Sequence, residues 1–176
     1  MPRPDFHPLQ ATELAQAFQA EGVEYLFIGK GAALLLGYPG TTQDVDVFPA
    51  CTADNGRRIV AALRKIGFNL ETQLEQGIVA GKDFVQIKDG PFDVDLIFAP
   101  DGIASFAEAR ARSLVVEGIH VASLRDIIAS KRASGRQKDA LDLPLLEKFR
   151  EEYEKQHPQP LRSAADVAAK RRKSNR

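Results

Sequence analysis

The sequence predicts an α+β fold: a short mixed β-sheet flanked by helices, with a helical C-terminal segment. Two observations carry this. Candidate strands are short and interspersed with helices, without the regular βαβ alternation of a doubly wound parallel sheet. Two apolar runs, Phe84–Lys88 and Phe92–Phe98, flank Asp89-Gly90-Pro91 and read as an antiparallel hairpin.

Taken in order, Leu9–Glu21 has apolar residues near helical spacing and Gly22 to stop it. Val23–Ile28 is rich in β-branched and aromatic residues, a strand. Gly29-Lys30-Gly31 reads as a tight connection to a short helix, Ala32–Leu36, ended by Gly37. Residues 38–43 hold Pro and Gly and form a loop before a second strand, Val45–Phe48. Ile59, Leu63 and Ile66 mark a helix over Asp54–Ile66, with Asp54 as its cap. After the hairpin come a helix over Ile103–Arg112 and a second hairpin, Leu114–Val116 with Ile119–Val121, around Glu117-Gly118. Ser123 with Asp126 resembles a capping box opening a helix over Leu124–Arg132. Ser134-Gly135-Arg136 breaks it, and a last helix spans Lys138–Gln156. His157-Pro158-Gln159-Pro160 ends the expected domain, 1–157, and leaves a basic tail, 158–176, expected to be disordered.

The bulk numbers set limits. At 176 residues and 44% hydrophobic, the chain can bury a core without disulfides or structural metal. Its one cysteine, Cys51, allows no internal disulfide. The opening residues carry no apolar core, so no secretory signal is expected, and the apolar runs are too short to span a bilayer. A cytoplasmic location and no membrane partner follow as expectations. The zero net charge is uneven: residues 161–176 hold 6 basic residues and 1 acidic one, leaving the body acidic. The body is therefore no obvious nucleic-acid binder, whereas the tail can touch phosphate. His7, His120 and His157 have no zinc spacing. No dinucleotide fingerprint or P-loop occurs.

The chemistry lies in two segments, Asp44-Val45-Asp46-Val47 and Asp93-Val94-Asp95-Leu96. In a strand, residues two apart share a face, so each pair of aspartates projects together while its valines pack behind. Carboxylates in apolar strands are costly unless solvated, paired or metal-bound. Mg²⁺, or Mn²⁺, takes hard oxygen ligands and shares them with phosphates. Three carboxylates around such ions suit in-line displacement at phosphorus. Gly29 and Gly31 allow close approach of a phosphate to the backbone.

These residues resemble the minimal nucleotidyltransferase superfamily, the polymerase-beta-like fold. The matching segments are Phe27-Ile28-Gly29-Lys30-Gly31-Ala32, then Thr42-Gln43-Asp44-Val45-Asp46-Val47, then Val94-Asp95-Leu96-Ile97. Residues 123–131 and 135–143 look like the closing segment of its AbiEii-like toxin branch. The resemblance implies a nucleotidyltransferase fold and metal ligation by Asp44, Asp46 and Asp95, with Asp93 competing for the third place. It implies nucleoside triphosphate as substrate, with Gly29, Lys30, Gly31, Thr42, Lys131 and Lys138 toward the nucleotide and Asp139 orienting a lysine. The implied reaction moves a nucleoside monophosphate to a hydroxyl of RNA or protein, in one partner of a toxin–antitoxin pair. Two departures stand out. Lys30 replaces a second Gly or Ser, and Gly40-Thr41-Thr42 stands where a basic residue is frequent. They motivate a second reading, a catalytically degenerate member that binds a nucleotide or a partner protein.

Overall fold

A computed structural model of the chain describes residues 7–158. The basic tail expected to contact phosphate lies, past Pro158, outside the described residues. The elements are α1 (Pro8–Glu21), β1 (Tyr25–Ile28), α2 (Gly29–Leu35), β2 (Asp44–Pro49), α3 (Ala53–Lys65), α4 (Thr72–Ala80), β3 (Phe84–Ile87), β4 (Asp93–Ile97), α5 (Phe106–Arg112), β5 (Leu114–Val116), β6 (Ile119–Val121), α6 (Leu124–Ser134) and α7 (Gln137–Gln156). The strands form one sheet in the order β3-β4-β2-β1-β6-β5. It is mixed: β2 pairs parallel with β4 and β1 with β6, while the other neighbours are antiparallel.

Alternation along the strands divides the sheet into two faces. Tyr25, Phe27, Val45 and Val47 point to one side and are buried. There α1 covers them, with the Phe18 ring tilted against Tyr25 at 5.1 Å, and α3 packs against α1 with α4 behind it. The other face carries Asp44 and Asp46, and beside them α2 and α6 pack together. Phe106 of α5 meets Phe48 edge-on at 5.3 Å and closes the far end of that face. Helix α7 lies over α6, and its Phe149 meets Tyr38 at 5.5 Å, tying down the loop that leads into β2.

Several boundaries differ from expectation, each for a local reason. Gly29–Gly31 is no connection: β1 runs directly into α2, because Gly29 adopts φ +70 and turns the corner by itself. The cap of α3 is Thr52, whose hydroxyl accepts the Asn55 N–H at 3.1 Å, while Asp54 sits inside the first turn and binds Arg57. Helix α5 begins only at Phe106, capped by Ser105. The Ser123 half of the expected capping box is present, but the Asp126 carboxylate is taken by Arg112, whose Nε and Nη2 each donate at 3.0 Å. Helix α4 had no clear signal in the sequence. Only Ile78 of it is fully buried, and it docks through Gly56 of α3, where a Cβ would stand 2.7 Å from the Val79 Cα.

Candidate active site

Register brings the two aspartate pairs together. On the parallel strands β2 and β4, Asp44 stands opposite Asp93 and Asp46 opposite Asp95. Opposed residues in a ladder share a face, so all four carboxylates project from the same side. Ile28 opposes Asp46 on its other flank, so the end of β1 delivers Gly29 directly over Asp46. A Cβ at Gly29 would overlap Asp46 Oδ2 and stand 3.1 Å from its Cγ. Gly29→Ala is therefore expected to displace the Asp46 carboxylate and strain the backbone at positive φ. We expect a loss of about 1–3 kcal/mol of stability, read as a lower denaturation midpoint, together with loss of any Asp46-dependent activity.

Crowding shows in the electrostatics. Burial, then the charges of Asp95 and Asp44, push the Asp46 carboxyl up to about 7, against the opposing pull of Lys131 and Arg136. Burial and the charge of Asp44 likewise raise Asp95, offset by the Gln86 side chain and by Lys88 and Lys138. Asp95 is 8% exposed, and its Oδ1 is buried without a hydrogen-bond partner. The face is thus an acidic floor with basic side chains around it. A divalent cation fits this donor set: it would satisfy the orphaned oxygen and relieve the repulsion. Among the described residues, no three His, Cys, Asp or Glu side chains form a ready-made metal cluster. The carboxylates share a face without closing around one point.

The other expected site residues divide into two groups. Lys131 of α6 is buried, with Nζ 3.1 Å from Asp139 Oδ1 and 4.0 Å from Asp142 Oδ2. It is no exposed helix lysine, and its charge reaches Asp46. Asp139, 2% exposed, also accepts hydrogen bonds from Ser134 at 2.8 Å and Arg136 at 2.7 Å. Burial pushes its carboxyl up, but the bonds from Ser134, Lys131 and Arg136 outweigh this and hold it down at about 2. Lys138 is exposed in the first turn of α7 and acts on Asp95. Gly31 is buried within α2. Thr42 donates its hydroxyl to the Asp44 carbonyl at 3.4 Å, bracing the entry to β2. Lys30 turns toward the loop ahead of β2: a Cβ on Gly40 would stand 3.4 Å from its Cε and 3.8 Å from its Nζ. Its bulk lies beside that loop, whose own residues carry no cation.

Sequence reasoning missed Gln86, Lys88 and Arg136 as neighbours of the carboxylates. Gln86 alternates with the buried Val85 and Ile87 and lies opposite Asp95 in the hairpin. That alternation, carried across the hairpin, is the signal that could have found it. Nothing local marks Arg136 except its place after Gly135.

No helix among the described residues is long and apolar enough to cross a membrane. No protein-family model matches the sequence, and no curated protein matches it. Solved structures do resemble it in fold. One is the lincosamide antibiotic adenylyltransferase LnuA, bound to lincomycin, with 14% identity and a TM-score of 0.55 over 83% of this chain and 99% of LnuA. Another is TM1012 of Thermotoga maritima, provisionally assigned as a nucleotidyltransferase, with 16% identity and a TM-score of 0.52 over 81% of this chain and 92% of that one. With its mixed six-stranded sheet and seven described helices, the chain has the nucleotidyltransferase fold.

Proposed function

We propose that this protein is a metal-dependent nucleotidyltransferase that moves a nucleoside monophosphate from a nucleoside triphosphate to an acceptor hydroxyl. One observation carries the reading: Asp46 and Asp95 stand opposite one another in the sheet, one with an orphaned buried oxygen, beside the cations of α6 and α7. Such a mixed site suits a ligand that brings positive and negative charge together, as a metal-bound triphosphate does.

In this reading Asp44, Asp46 and Asp95 hold Mg²⁺ or Mn²⁺. Asp95 takes the third place ahead of Asp93 because it faces Asp46 and keeps a buried oxygen without a partner. The bound metal would supply charge neutralisation of the triphosphate and of the leaving pyrophosphate. Asp95 receives the hydroxyl proton, the acceptor oxygen bonds to the α-phosphorus, and the bond to the β-phosphate oxygen breaks. Gly29 leaves space above Asp46 for a phosphate, with Gly31 behind it. Thr42 holds the β2 entry in place. Lys30 and Lys138 add charge at the margin, and Asp139 fixes Lys131. The acceptor is a hydroxyl of RNA or protein, and the toxin–antitoxin role, with a cognate partner protein, is supported by the resemblance over residues 123–143. Because LnuA is an adenylyltransferase bound to lincomycin, small hydroxylated molecules belong in the acceptor screen. Cytoplasmic action goes with these substrates.

The test is transfer of label from each of the four α-labelled nucleoside triphosphates, with Mg²⁺ or Mn²⁺, to RNA, protein and small-molecule acceptors. Wild-type protein is expected to label one class and release pyrophosphate, and Asp44→Asn to label none. Equal labelling by Asp44→Asn would refute the metal-site assignment.

A further inference from the structure

We propose that Arg136 binds a phosphate of the metal-bound triphosphate, as a guanidinium anchored by Asp139 with its terminal nitrogens turned to the ligand. This rests on the reading above and assigns the anion contact to a residue other than Lys131. Helix α6 ends at Gly135, whose φ of +63 turns the chain, and Arg136 follows in extended conformation as the residue before α7. Its Nε donates to Asp139 Oδ2 at 2.7 Å, the same oxygen that accepts from Ser134 at 2.8 Å. The Asp139 side chain is 3% exposed and that of Arg136 is 61% exposed, so the guanidinium extends from a buried anchor into solvent.

An arginine has five N–H donors in a rigid plane. Among the described residues Nε is the one nitrogen of Arg136 with a partner, which leaves the Nη pair open. Such a fork matches phosphate oxygens better than an ammonium does. Lys131 is in a different position. Its side chain is 10% exposed and its ammonium is committed to Asp139, with Asp142 beyond. Lys131 therefore acts as a positioning residue that keeps Asp139 in place, and Asp139 in turn holds Arg136. The α6–α7 corner that carries Arg136 lies on the carboxylate side of the sheet, because α6 packs against α2 and Gly29 of α2 stands over Asp46.

Calorimetric titration of the full chain with tripolyphosphate plus Mg²⁺, and with the four nucleoside triphosphates plus Mg²⁺, tests this. Arg136→Gln is expected to weaken both kinds of ligand about tenfold or more, with a melting temperature within about 2 °C of wild type. Arg136→Lys, which keeps the charge and loses the fork, is expected to fall between. Unchanged affinity in Arg136→Gln would overturn the proposal while leaving the metal–nucleotide reading intact. Weaker binding accompanied by a fall of more than about 5 °C in both variants would make Arg136 structural and would also overturn it. If wild-type protein binds neither tripolyphosphate nor any nucleotide, the reading beneath it fails as well.

Discussion

Asp46→Asn is expected to abolish nucleotidyl transfer, by about a thousandfold or more, while making the metal-free protein more stable at neutral pH. The loss of activity follows from removing a carboxylate proposed to hold the metal, which also faces Asp95 across the ladder. The gain in stability follows from the same crowding. The Asp46 carboxyl is raised to about 7 in the fold, by burial and by Asp95 and Asp44. An unfolded aspartate titrates near 3.9. Between those values the folded chain binds more protons than the unfolded one, so stability falls as pH rises from about 4 to 7. Above pH 7 that penalty is complete. Asparagine carries no charge and avoids it, giving about 1–3 kcal/mol at pH 8 after allowance for partial solvent access. Melting curves from pH 4 to 8 check this: the wild-type decline should flatten in Asp46→Asn. A variant less stable than wild type at pH 8 would show that the Asp46 charge is already compensated in the metal-free protein.

Asp139→Ala is expected to be the most destabilising of the substitutions considered, at about 3–5 kcal/mol. It strips Lys131 of its hydrogen-bonded carboxylate in a buried setting and leaves Asp142 4.0 Å away as the remaining acid. Ser134 and Arg136 lose their acceptor as well. The wild-type network has its own pH signature. Asp139 titrates at about 2 in the fold, below its unfolded value, so its contribution is complete above about pH 4 and is lost as pH falls toward 2. By linkage that is about 2 kcal/mol. Denaturant titrations at pH 7 and pH 2.5 measure both effects, and the gap between wild type and Asp139→Ala should narrow at the lower pH. A gap that stays the same would place the stabilisation in packing, with the ion pair contributing nothing.

What the sequence made legible was local. The Asp-x-Asp pattern fixed which residues share a face, because strand periodicity needs no partner to be read. The hairpins of β3–β4 and β5–β6 were legible from their turns. The alignment of β2 with β4 was not, since parallel strands joined through α3, α4 and β3 carry no turn to set their register. Hence the pairing of Asp44 with Asp93 and of Asp46 with Asp95 could not be read from the sequence. Lys131 and Arg136 illustrate the same limit. In the sequence Lys131 reads as a cation near a helix end and Arg136 as part of the break after it, and only the α6–α7 corner buries one and exposes the other around a single carboxylate. Lys30 motivates the reading of a catalytically degenerate member. The path of its stem toward Gly40 is set by the loop before β2, which has no regular pattern to read.

The most direct measurement of the central claim is thermal stabilisation by ATP, CTP, GTP and UTP, with and without Mg²⁺, in wild type and Asp46→Asn side by side. At least one nucleotide is expected to raise the wild-type melting temperature only when Mg²⁺ is present, and to leave Asp46→Asn unmoved. Stabilisation of both proteins alike, or of neither by any nucleotide, would contradict a metal–triphosphate site on this face and direct the search to a protein partner instead.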